Sequence, residues 1–189
     1  MTLLRPRLLS ITLPLALSLA GASCTEPIAP PEPGNVLFEV EYINFAWART
    51  WNGFVVDADG KVYAWDLSDT NRVPPQDDDG FSASVLEEKY AHHRRLVKAV
   101  SPLEASSMYA RVGEAVAGTL TPPRGTCADA GIIRYSALLY EPAFGSYQRI
   151  LLHQSGDVAR TNTSPAARAI REWLADVVSA GPGFCEPDA

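Results

Sequence analysis

Three cysteines, three histidines and several close carboxylates are the residues of this 189-residue chain with chemistry to offer. Cys24, Cys127 and Cys185 include no C-x-x-C spacing, so a zinc ribbon or a thioredoxin-like redox site has no support. His92 and His93 are neighbours and would point about 100° apart around a helix, so they do not share a ligand easily. The third, His153, is remote in sequence, and H-E-x-x-H is absent. The nucleophile elbow G-x-S-x-G, the P-loop and G-x-G-x-x-G are absent as well. Glu39 and Glu41 lie two apart on what reads as one strand and therefore share a face. Paired carboxylates can cleave glycosidic bonds, but a solvent-facing strand edge is the simpler reading. In Asp57-Ala58-Asp59-Gly60, Lys61 stands where a calcium loop needs its third acidic ligand, so a hairpin turn is expected. Asp77-Asp78-Asp79-Gly80 reads as a solvated loop, with weak divalent binding as the alternative. No catalytic residue, metal site or cofactor is assigned.

The aromatics Phe45, Trp47, Trp51, Phe54, Tyr63 and Trp65 crowd one stretch. Core packing accounts for most of such a set. Trp47, Trp51, Tyr63 and Trp65 are the candidate binding face, because Trp and Tyr are frequent interface anchors.

The elements that must position these residues follow from hydrophobic period. Phe38, Val40 and Tyr42 alternate with Glu39 and Glu41, the period of a half-buried strand. The phase then flips to Ile43, Phe45 and Trp47, as a bulge near Tyr42–Ile43 or a strand buried on both faces would make it. Two more strands flank the Asp59-Gly60 turn. A two-residue loop pairs Val56 with Tyr63, and a bulged loop pairs it with Val62. A first helix starts near Ser82 or Ser84 and carries Leu86, Tyr90, His93, Val97 and Val100 on one stripe. A second helix begins at Ser101 and Pro102, with Glu104 closing a capping box, and ends at Gly118. A second hairpin turns at Pro142–Gly145. Ser164 and Pro165 open a last helix with Ala166, Ile170, Trp173, Leu174 and Val177 on its stripe. The order β-β-β-α-α-β-β-α comes in blocks. It predicts an α+β fold, an antiparallel sheet of about five strands with three helices on one face.

Arg5 and Arg7 precede an apolar run from Leu8 to Ala20, the layout of a secretory signal peptide. Gly21, Ala22 and Ser23 then lead into Cys24, and this stretch resembles the lipobox of bacterial lipoproteins. The resemblance covers the leader and Cys24 alone. It implies that Cys24 becomes the first mature residue and carries acyl chains in the envelope, at the outer membrane. Cleavage after Ala20-Gly21-Ala22 is the rival and leaves Cys24 as a thiol. The organisation expected is a signal peptide over 1–23, a lipidated Cys and Pro-rich tether over 24–35, and a globular domain over 36–189. Four prolines within seven residues, Pro27 to Pro33, exclude helix and central strand there.

The whole chain carries 16 basic and 22 acidic residues, net −6, which argues against nucleic acid as a partner. Two of the basic residues belong to the leader, so the mature part is more acidic still. Its attachment then falls to the acyl chains, since anionic lipid repels an acidic surface. The preferred reading is a non-catalytic binding or structural module with an envelope protein as partner. The alternative is a small envelope hydrolase built around His93 or His153.

With Cys24 lipidated, Cys127 and Cys185 remain as an even pair in an oxidising compartment. A bond across the 58 positions between them stabilises by at most about 4 kcal/mol in the loop-entropy picture. Digestion without reductant, followed by mass spectrometry, is expected to recover both cysteines in one linked peptide. Alkylation of both in the native, unreduced protein is the contrary result.

Overall fold

The computed structural model describes residues 35–71, 81–90 and 94–178. The strands are β1 (Val36–Asn44), β2 (Thr50–Asp57), β3 (Lys61–Asp66), β4 (Phe81–Ser82), β5 (Arg95–Ala99), β6 (Arg124–Gly125), β7 (Ile132–Glu141), β8 (Ser146–Gly156) and β9 (Val158–Thr161). The helices are α1 (Ala83–Tyr90), α2 (Pro102–Tyr109), the five-residue α3 (Val112–Val116) and α4 (Pro165–Val178). One antiparallel sheet runs in the order β5-β3-β2-β1-β7-β8-β9-β6, and the two-residue β4 pairs with β8 off that path. The fold is α+β, with more strands than the five expected, and the single second helix expected from Ser101 to Gly118 is broken at Ala110–Arg111 into α2 and α3. The additions are β5, which falls on residues whose apolar spacing reads as helix, and the short β4, β6 and β9, which have too few residues to carry a hydrophobic period.

Strand β1 lies between β2 and β7 and joins two three-stranded meanders. Its first six residues are all buried, because both faces of the sheet are covered there. On one face Phe38, Val40, Val56, Val62, Ala137, Ile150 and Leu152 meet α2, α3 and α4. On the other, Trp51, Val55, Trp65, Leu67, Leu138 and Tyr147 meet Leu86 and Tyr90 of α1. The expectation of helices on one face is therefore corrected: α1 covers the second face. Neither a bulge at Tyr42–Ile43 nor burial on both faces makes the phase flip: Tyr42 and Ile43 pair in unbroken register with Asn52 and Trp51, β1 ends at Asn44, and Phe45 and Trp47 lie exposed beyond it. The irregularity in β1 falls at its start, between Val36 and Phe38.

The first hairpin takes the Val56–Val62 register. Gly60 has φ +76°, its N–H donates to the Asp57 carbonyl, and Asp57 Oδ1 accepts the Lys61 N–H at 2.8 Å. Asp57 thus serves the turn, as expected, and burial raises its pKa.

The first helix is shorter than its stripe predicted. Helix α1 ends at Tyr90, and Arg95–Ala99 forms edge strand β5 against β3. Val97 therefore lies in a strand, and His92 and His93 lie outside the described residues. Leu86, Tyr90, Val97 and Val100 match a helical period by coincidence. Ladder bonds to β3 satisfy the 95–99 backbone instead, and Arg95 and Lys98 mark this exposed edge with charge. In α2, Ser101 is the N-cap but makes no side-chain cap bond. Glu104 does not close a box: its Oε1 accepts Trp173 Nε1–H at 2.7 Å, tying α2 to α4. The α4 signals hold as read. Ser164 Oγ accepts the Ala167 N–H at 3.0 Å, and all five stripe residues are buried.

Candidate functional site

Because β1 is flanked and covered on both sides, Glu39 and Glu41 cannot be a solvent-facing edge. Each is 1% exposed, and the expectation from their alternation is overturned. They point at the face that α1 covers, beneath its last turn. Lys89 Nζ bridges them, at 2.8 Å from Glu39 Oε1 and 2.7 Å from Glu41 Oε1. From β8, Arg149 reaches Glu39 Oε2 at 3.1 Å and lies 4.0 Å from Glu41 Oε2. From β7, Arg134 sits opposite Glu41 in register and approaches its Oε2 at 3.7 Å. Trp51 Nε1–H donates to Glu41 at 2.8 Å, and the Tyr90 hydroxyl donates to Glu39 in a short hydrogen bond.

Aromatic faces complete the enclosure. Lys89 Nζ stands 4.6 Å from the Trp65 ring centroid and 5.3 Å from that of Trp51, cation–π contacts strengthened by burial. Gly53, opposite Glu41, makes room for this packing. A Cβ there would fall 2.2 Å from the Val40 carbonyl and 2.9 Å from the Trp65 ring.

Burial alone drives a carboxyl pKa up. Here Lys89 and Arg149, with the Lys89 and Trp51 hydrogen bonds, outweigh it and hold Glu41 at about 2. Burial and the neighbouring Glu39 carboxylate push the Tyr90 hydroxyl well above its ordinary value, so Tyr90 is a donor and not a base. Burial works against the Arg149 charge, but Glu39 and Glu41 prevail and raise its pKa. The arrangement is a closed, charge-compensated network in which the carboxylates are covered on every side. It holds strand to helix, and Glu39 and Glu41 are almost wholly shielded from solvent within it.

Of the expected aromatic face, Trp51 and Trp65 belong to this enclosure, each 2% exposed. Tyr63 is half-buried, with Arg94 stacked 4.3 Å above its ring. Trp47 alone of the four stands out, at 83% exposure. Phe45 is exposed beside it, and Arg49 lies 4.6 Å over the Phe45 ring. His153 is half-buried on β8, with Nδ1 3.0 Å from Thr161 Oγ1 and its ring near Tyr135. Among the described residues no group of three or more His, Cys, Asp or Glu is placed to hold a metal ion. Cys24, Cys185 and Asp77–Asp79 lie outside the described residues, while Cys127 is half-buried in the loop after β6. Asn162 is buried: it donates to the Ala115 carbonyl at 2.8 Å, and its Oδ1 accepts the Ser164 N–H at 3.0 Å, which ties the start of α4 to α3.

The chain matches no protein-family model, no curated protein and no solved structure.

Two outcomes are expected. Lys89→Met removes the bridge between two buried carboxylates and should destabilise the protein by about 3–5 kcal/mol, the cost of breaking a buried pair. Chemical denaturation measures it. For pH, Glu41 has a lowered pKa, so its contribution is complete above 4.5 and is lost as pH falls toward about 2. Tyr90 has a raised pKa, so its contribution is complete below 10.0 and is lost as pH rises further. Melting temperature against pH should therefore fall at both ends, and Glu41→Gln should flatten the acid limb.

Proposed function

We propose that the protein is a lipid-anchored module of the bacterial cell envelope. It binds an envelope protein partner through the β1–β2 tip, Phe45–Arg49, and performs no catalysis. Trp47 carries this reading. The chain has four tryptophans, and three of them, Trp51, Trp65 and Trp173, are buried. The fourth stands on a loop tip between an exposed Phe and an Arg, the residue types that anchor interfaces. The closed state of the Glu39–Glu41 network supports the same reading, because the richest set of ionisable groups described is engaged in holding the fold.

Attachment in this proposal rests on acylated Cys24. Among the described residues no helix is long and apolar enough to cross a membrane. The Cys127–Cys185 bond is part of the proposal and ties the C-terminal end back to the body.

Fractionation tests the reading. Cys24→Ala should move the protein from the membrane to the soluble fraction, and retention after a salt wash is the contrary result. Trp47→Ala should stay with the membrane and keep its melting temperature, while losing at least tenfold in recovery of a cross-linked envelope partner. Unchanged cross-linking would place the binding face elsewhere.

A further inference from the structure

Beside α1, away from the Trp47 tip, lies a cleft of about 380 Å³. Tyr90, Tyr140 and Tyr147 line it with Leu86, Val36 and Ala83, and Asn35, Glu87 and Arg94 supply its polar groups. Its size is within the ordinary range for a ligand site. Tyr140 and Tyr147 face each other with centroids 5.0 Å apart at 47°. Tyr140 is the most open of these rings, with Tyr90 and Tyr147 buried behind it at 2% and 5% exposure, and such an aromatic edge suits a polyproline II ridge, whose rings stack on tyrosines and whose backbone is already ordered.

The chain itself enters the fold at the wall of this cleft. The Asn35 carbonyl is held by the Ala58 N–H at 2.9 Å, and Asn35 and Val36 are lining residues. Immediately before them the sequence reads Pro27-Ile28-Ala29-Pro30-Pro31-Glu32-Pro33-Gly34. Pro27, Pro30 and Pro33 recur at intervals of three. A polyproline II helix has three residues per turn, so in that conformation they would form one ridge, with rings about 9 Å apart. Gly34 gives the chain freedom to turn between that ridge and Asn35. Arg94 offers Glu32 a cation, whereas Glu87 repels it, which sets the side of the cleft the Glu32 carboxylate takes.

We propose that this cleft is the docking site of the chain's own proline-rich segment, Pro27–Pro33. Covalent connection puts the segment at an effective concentration on the order of millimolar, so a weak contact suffices for occupancy. The docking stands on the cleft and the sequence. Its consequence rests on the lipid-anchored reading: a docked tether withdraws about 20 Å of reach and draws the domain toward the lipid, and a released one extends it.

NMR on the full chain carrying Cys24→Ala, labelled at proline, tests the docking without lipid or partner. Expected are nuclear Overhauser contacts from Pro30 and Pro33 to the Tyr140 and Tyr147 rings. Tyr140→Ala should abolish them and return the proline shifts to random-coil values, with the Trp51 and Trp65 indole signals unchanged. The double variant Pro30→Ala, Pro33→Ala leaves the domain intact and should shift the Tyr140 ring signals. Random-coil proline shifts in the parent chain overturn the proposal. Contacts arising only between differently labelled copies overturn it in favour of exchange between molecules. Contacts to the cleft from Pro74 and Pro75 instead assign it to the segment before β4, which equally overturns it. Membrane release of Cys24→Ala leaves all these readouts untouched, so failure of the anchor and failure of the docking are told apart.

Discussion

Two carboxylates on one central strand must be kept charged inside the protein, and much of the architecture follows from that requirement. Glu39 and Glu41 would be costly to bury alone. They are tolerated because Lys89 bridges them, Arg149 and Arg134 approach from the next two strands, and Trp51 and Tyr90 donate hydrogen bonds. The five partners come from four elements: Trp51 from β2, Lys89 and Tyr90 from α1, Arg134 from β7 and Arg149 from β8. The network therefore forms only when both meanders and α1 are in place. A buried ion pair is weak evidence of net stabilisation against an apolar alternative. Its strength lies in selection, since a slip of β1 by one residue would turn both carboxylates into the apolar cluster on the opposite face.

That opposite face is built on other physics. Phe38 packs edge-on to Tyr109 and Trp173, with centroids at 6.0 and 5.3 Å. Around them α2, α3 and α4 bury small and branched residues, Ala105, Val112, Ala115, Ala166, Ile170 and Leu174 among them. Among the described residues the sheet thus has one apolar face under α2, α3 and α4 and one mixed face under α1. Eight-residue α1 has little intrinsic stability. Leu86, Lys89 and Tyr90 hold it down by packing, charge and hydrogen bonding together.

The same division locates the exposed features. The Phe45–Arg49 tip projects beyond the end of β1, where neither helical layer reaches. The tyrosine cleft opens beside α1. The tip lies outside the charged network, and the cleft meets it at Tyr90, whose hydroxyl donates to Glu39.

By itself the sequence determined the features whose causes are local. The α4 start, the Gly60 turn with its two alternative registers, the turn at Pro142–Gly145 and the α+β class are set by caps, φ preferences and hydrophobic period. These act over a few residues and leave marks in the chain. What lies across the sheet was decided only by the tertiary structure. Glu39 and Glu41 have the alternation of a wet strand face, and only the placement of α1 over them turns that face inward. A hint was present: Lys89 sits between Leu86 and Tyr90 on the helix, and Arg134 and Arg149 occupy the second hairpin as matching cations. Period alone cannot say that charges 50 and 110 positions apart will meet. The early end of α1 was hidden for the same reason. Residues 95–99 become strand because β3 offers them an edge, and an edge exists only once the sheet has formed.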